Sequence, residues 1–113
     1  MLSMYAEDGV FDASAVFTDV APAHGHEAML RHWRDVWQVW GGLRLDPLEV
    51  FDVGAGRYAV DVRLWGKGKS SGAEVDQRFA FLYTFRREDE KVTLAQLLPD
   101  VDTAIAMAKS DEP

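Results

Sequence analysis

The chain has no cysteine. That excludes disulfides, thiolate nucleophiles and cysteine-based zinc sites, and it fits a reducing compartment. Positive charge is also scarce: 12 Lys and Arg stand against 19 Asp and Glu, for a net charge of -7. These cations are scattered, so there is no basic face to track a phosphate backbone, and nucleic acid is excluded as a partner. Anionic membrane surfaces are disfavoured for the same reason. The apolar runs are far too short to span a bilayer. No basic segment followed by an apolar run opens the chain, so no secretory signal is read and a cytoplasmic location is expected. Repeats, linkers and low-complexity tracts are lacking as well. The only biased stretch is the tail at 109–113, which is expected to fray.

What is there is ordinary for a globular protein. Hydrophobic residues make up 48% and charged residues 27% of 113 positions, which reads as one domain spanning 1–113, large enough to bury a core without staples. Residues 4–12 read as a short helix end running into a strand that carries one carboxylate, Asp12. Between Glu27 and Trp40, the residues Leu30, Trp33, Trp37 and Trp40 recur at three- and four-residue spacing, which predicts an amphipathic helix with that stripe inward. Arg31, His32, Arg34, Asp35 and Gln38 fall to its solvent side. Glu27 in the first turn suits the helix dipole, and Gly41-Gly42 ends the helix.

The period then changes to two. Residues 43–53 predict a strand that Pro47 marks as an edge or a bulge. Residues 58–67 place Tyr58, Val60, Val62 and Leu64 on one face and Ala59, Asp61, Arg63 and Trp65 on the other. Residues 75–85 put Val75, Gln77, Phe79, Phe81, Tyr83 and Phe85 on one face. A last strand covers 91–98, Pro99 ends it, and 101–109 reads as a closing helix. Short turns between long strands predict an antiparallel meander, and helices grouped against it make an α+β domain.

This order resembles the SnoaL-like branch of the nuclear-transport-factor-two-like superfamily, which shares its cone-shaped fold with ketosteroid isomerase. Four segments carry the resemblance. Tyr5-Ala6-Glu7-Asp8 matches a helix end leading into the first strand. Gly25-His26-Glu27 followed by Trp33 matches the long helix. Ser71-Gly72-Ala73-Glu74-Val75 into Arg78-Phe79-Ala80 matches the hairpin and central strand. Lys91-Val92 through Asp100 to Ala104-Ile105 matches the last strand and closing helix. The resemblance covers nearly the whole chain. It implies a strongly curved antiparallel sheet packed on helices, with the family's usual first helix missing here. It is specific for fold and not for activity, because the superfamily holds cyclases, isomerases, hydrolases, dehydratases and binders.

By this resemblance Asp12 lies at or within a residue of the isomerase general base and faces the cone, where a carboxylate in apolar surroundings suits acid–base work. The plainer reading is a strand-end Asp bonded to Ser14 or loop amides. The isomerase partners are absent: the tyrosine-bearing first helix is missing, and Phe81 stands where the second acid belongs. The epoxide-hydrolase pattern is broken too, since Trp65 follows Arg63 by two residues in place of an Asp, leaving only Asp100 near the later acid.

Trp33, Trp37, Phe79, Phe81 and Tyr83 are the expected cavity wall, with Gln96 and Asp100 beside them; for most of the aromatics, core packing is the simpler role. Arg63, Trp65, Asp76 and Arg78 are expected on the outer face, with Arg63–Asp76 and Asp61–Arg78 as diagonal neighbours and a homodimer interface as the functional version. His24 and His26 lack a third ligand, so no metal site is read. Residues 54–56 and 66–70 are hairpin turns, since neither leads into a helix as a phosphate loop must. The implied function is a cofactor-free pocket protein for an apolar cyclic or aromatic metabolite. Any chemistry would use Asp12 as base or acid, and proton abstraction next to a carbonyl is the class such a site suits. The alternative is a non-catalytic ligand-binding or dimerisation module whose cone is filled by its own side chains.

Overall fold

A computed structural model of the chain describes residues 2–39, 43–68 and 72–110. A short 3-10 turn at Leu2–Met4 leads into β1 (Tyr5–Asp12). Then follow β2 (Ala23–His24), α1 (Gly25–Val39), β3 (Arg44–Gly54), β4 (Arg57–Lys67), β5 (Glu74–Phe85), β6 (Val92–Leu98) and α2 (Val101–Ser110). The strands form one sheet in the order β2-β1-β6-β5-β4-β3. The meander from β3 to β6 is antiparallel throughout, as its short turns require. The pair β1–β6 is parallel, because the chain crosses over through α1 before returning to the sheet. This is the curved, unclosed α+β cone.

Alternation divides the sheet into two apolar layers. Val62, Phe79, Phe81, Ala95 and Leu97 point to the inner face, where they meet Tyr5, Phe11 and Met29. Ala59, Ala80, Leu82 and Leu98 point outward, against Ala104 and Ala108 of α2. The small alanines on both sides let helix and sheet approach closely. Because α2 covers only part of the outer face, the ends of β4 and β5 that carry Arg63, Trp65, Asp76 and Arg78 stay exposed. Pro47 sits on the edge strand, and the register slips between Pro47 and Glu49, so both consequences expected of it occur.

Two local expectations need correction. In α1 the inward positions are Ala28, Met29, His32, Trp33 and Val36, while Leu30 is 43% exposed. Met29 is fully buried against the β1 bulge at Gly9, and that contact rotates the helix away from the stripe expected from Leu30. His32, expected in solvent, instead packs its ring 5.4 Å from Phe11. Of the tail at 109–113, Lys109 and Ser110 belong to α2, and 111–113 lie outside the described residues. Trp40, Gly41 and Gly42 also lie outside them, as does the Trp37 side chain.

Candidate functional site

Asp12 ends β1. In the parallel ladder Phe11 pairs with Ala95 and Asp12 with Gln96. Phe11 and Ala95 belong to the inner core, so alternation turns Asp12 to the outer face that Gln96 shares. The next inward side chain is Ala13, only 2% exposed. The Asp12 Oδ1 accepts hydrogen bonds from the Ser14 backbone N–H at 2.9 Å and the Ser14 hydroxyl at 2.6 Å. This is an Asx-type turn that closes the strand end. The expectation that Asp12 faces the cone therefore fails, because Phe11 takes the inward place.

Of the expected wall residues, Trp33, Phe79, Phe81 and Tyr83 lie on the inner face, but they pack on one another and on the core around them, while the Trp37 side chain lies outside the described residues. Phe81 stacks on Tyr83 at 5.4 Å, and Tyr83 meets Phe85 at 6.4 Å. Phe11 meets Trp33 edge-on at 5.8 Å and Phe81 at 6.1 Å, and Trp33 contacts Tyr5 at 5.6 Å. Phe79 and Phe81 are each 7% exposed. Such offset and edge-to-face pairs are the arrangement that aromatic rings favour when they fill a core.

Two predicted wall residues lie elsewhere. Gln96 pairs across the sheet with Leu82 and points its Nε2 at the Met107 sulfur, 3.6 Å away, so it packs under α2 on the outer face. Asp100 is exposed and caps α2, with its Oδ1 accepting from the Thr103 N–H at 2.7 Å. These bonds with Thr103 hold its carboxyl below the usual carboxylate range.

Sequence reasoning overlooked a phenol pair. Tyr5 is 4% exposed, and its hydroxyl faces that of half-buried Tyr83. Burial, then the neighbouring Tyr83, pushes the Tyr5 phenol well above its ordinary range; burial also raises Tyr83, while Tyr5 pulls it back down. The signal was available: Tyr83 had been placed on the inner face, and Tyr5 is the first apolar-face residue of β1.

On the outer face the diagonal pairs form as the alternation implies. Arg63 bonds both oxygens of Asp76, each at 2.8 Å. Arg78 pairs with Asp61, whose side chain is almost wholly buried. The Arg44 guanidinium lies 5.6 Å from the centre of the exposed Trp65 ring, a cation–π contact. His24 and His26 diverge: His24 is exposed, while His26 Nε2 donates to the Tyr5 carbonyl at 2.8 Å. Among the described residues no three His, Asp or Glu side chains gather as a metal-holding group. No described helix is long and apolar enough to cross a membrane.

Comparison with known proteins bears on this arrangement. A family model for the SnoaL-like domain matches residues 1–95. No curated protein matches the chain. Among solved structures, TerC co-crystallised with polyporic acid is 21% identical, with a TM-score of 0.75 over 96% of this chain and 82% of TerC. A protein with a ketosteroid-isomerase-like fold from Catenulispora acidiphila, in complex with trimethylamine, is 15% identical with a TM-score of 0.75, covering 99% of this chain and 84% of its own. A candidate SnoaL-like polyketide cyclase from a Jannaschia species is 18% identical with a TM-score of 0.72, covering 98% and 76%. At these identities the likeness establishes the fold alone. The sheet topology and the family match together make this chain a member of the SnoaL-like domain family.

Proposed function

We propose that this SnoaL-like domain is a non-catalytic, cofactor-free module of the cytoplasm. We propose further that it assembles as a homodimer through the outer face around Arg63, Trp65, Asp76 and Arg78. One observation carries the non-catalytic reading. The inner aromatic rings contact one another, while the strand carboxylate, Asp12, is turned outward and bonded to Ser14. An acid–base catalyst needs a carboxylate in reach of a bound substrate, and the inward place after Phe11 belongs to Ala13. The dimer reading is supported by the exposed checkerboard of Arg and Asp with one Trp, since Arg and Trp are enriched at interfaces.

Light scattering coupled to size exclusion tests the dimer. The wild type should elute as a dimer, and Trp65→Asp with Arg63→Glu should elute as a folded monomer. A monomeric wild type refutes the dimer. Polyporic acid, the compound crystallised with TerC, serves as the probe of the interior. The non-catalytic reading expects no saturable change in tryptophan fluorescence on its addition.

A second reading keeps the interior as a pocket for an apolar cyclic metabolite, with chemistry of the cyclase, isomerase or lyase type. The observation favouring it is the pair of Tyr5 and Tyr83 hydroxyls within otherwise apolar walls, a polar handle of the kind ligand sites use. In that case polyporic acid quenches the fluorescence, and Tyr83→Phe weakens the effect.

A further inference from the structure

The ladder between β1 and β6 is broken. Tyr5 pairs with Val92, yet Val10 already pairs with Leu94, so β1 carries extra residues between two nearly adjacent positions of β6. The result is a pronounced bulge in which two consecutive side chains, Glu7 and Asp8, both point to solvent instead of alternating. The bulge is held on three sides. His26 bonds the Tyr5 carbonyl, Arg86 Nη1 lies 3.6 Å from Asp8 Oδ1, and Gly9 is packed tightly beneath. Bulges of this kind re-aim side chains, and they are common beside binding sites.

The bulge forms one wall of a surface depression of about 510 Å³, within the range of small-molecule sites. The rest of the lining includes Arg86, Asp89 and Lys91 from the β5–β6 turn. No residue of the sequence-predicted site lines it. The charges divide into two kinds. Arg86 is engaged by both oxygens of Asp89, so it acts as scaffold. Lys91 is half-buried; its Nζ donates to the Ser3 carbonyl at 2.5 Å and has no carboxylate partner among the described residues. The Glu7 carboxylate, in the same lining, likewise has no cation partner among the described residues. Lys91 and Glu7 are thus opposite charges lining one depression that do not neutralise each other. An ammonium has three donors, and this one uses a single donor on a neutral oxygen.

We propose that this depression binds a zwitterionic small molecule of the amino-acid class. The ligand carboxylate takes the free donors of Lys91, and its ammonium takes Glu7 with Asp8. A simple anion is opposed by Glu7, Asp8 and Asp89 and by the net charge of -7. A simple cation is opposed by Lys91. Only a ligand bearing both signs gains a charge-assisted bond at each end. This site lies away from the outer face and meets the aromatic interior only at Tyr5, so it stands or falls independently of the dimer.

The test is calorimetric titration with three probes that share one ring: L-phenylalanine, 3-phenylpropanoate with only the carboxylate, and 2-phenylethylamine with only the ammonium. Saturable binding of L-phenylalanine is expected, with each single-charge probe about tenfold weaker or worse. Lys91→Gln should weaken L-phenylalanine about tenfold without weakening 2-phenylethylamine, from which it removes a repulsion, and Glu7→Gln should likewise weaken L-phenylalanine without weakening 3-phenylpropanoate. Unchanged circular dichroism and unfolding midpoint establish that both variants fold. Lack of L-phenylalanine binding, equal binding of all three probes, or indifference to both substitutions overturns the proposal.

Discussion

Gly9 is the position where one added carbon has the clearest consequence. A Cβ built there lies 3.0 Å from the carbonyl oxygens of Ala6 and Val92 and 3.4 Å from the Met29 terminal methyl. The methyl can swing aside, whereas the two carbonyls belong to the bulge and to the ladder of β6. Overpacking against structure that cannot yield costs about 1–3 kcal/mol, and two backbone contacts argue for the upper half of that range. Replacing Gly by Ala also stiffens the unfolded chain, which returns about 0.4–1 kcal/mol. The net expectation for Gly9→Ala is a loss of about 1–2 kcal/mol. In a domain of this size that lowers the thermal midpoint by roughly 4–16 °C. Urea unfolding followed by tryptophan fluorescence measures it, with an unchanged slope showing that the unfolded state is comparable. Gly72→Ala is the control: it has left-handed φ (+68°) but nothing within 4 Å of the new carbon, so it reports backbone strain without crowding. A Gly9→Ala midpoint indistinguishable from wild type refutes the reading of the bulge as a tightly packed, specified feature.

Two titrations should appear in the stability profile. Burial against Phe11, opposed by Asp35, lowers the His32 pKa below its ordinary 6.5. The unfolded chain therefore takes up the proton first. The contribution is fully present above about pH 6.5 and is lost as pH falls towards the folded value; His32→Leu should flatten the wild-type decline in urea midpoint between about pH 6.5 and 5. Tyr5 acts at the other end of the scale: its folded pKa lies above the unfolded value of about 10, so its contribution is intact below that pH and fades as pH rises beyond it. Tyr5→Phe should blunt that alkaline loss, and phenolate absorbance of the wild type should show one tyrosine ionising only as the protein unfolds. Glu90 holds a left-handed φ of 57°, so Glu90→Gly should raise the thermal midpoint, with no change in midpoint contradicting strain at that turn.

The sheet was legible because its information is local. Tyr58 through Trp65 alternate strictly, and the two faces read from them are the two layers that form. The same alternation, combined with a tight hairpin, was enough to pair Arg63 with Asp76 diagonally. Pro47 announced an edge because it lacks the donor that a central strand must supply. The helix rotation was less legible, since an apolar stripe through Leu30 and one through Met29 differ by a single position. The choice fell to a β1 bulge that periodicity does not encode.

Sequence alone thus determined the meander and the faces of its strands, which follow from side-chain period and turn chemistry, while the family came from the resemblance of four segments. Tertiary structure decided which side chains face each other. The parallel ladder with β6 turned Asp12 outward and brought Ala13 in. The course of β6 carried Gln96 under α2, and the start of α2 made Asp100 a cap. The bulge at Glu7 and Asp8 set a two-signed surface depression that Lys91 also lines. A strand's period fixes that neighbouring residues alternate, but the partner strand's register fixes which of them points inward.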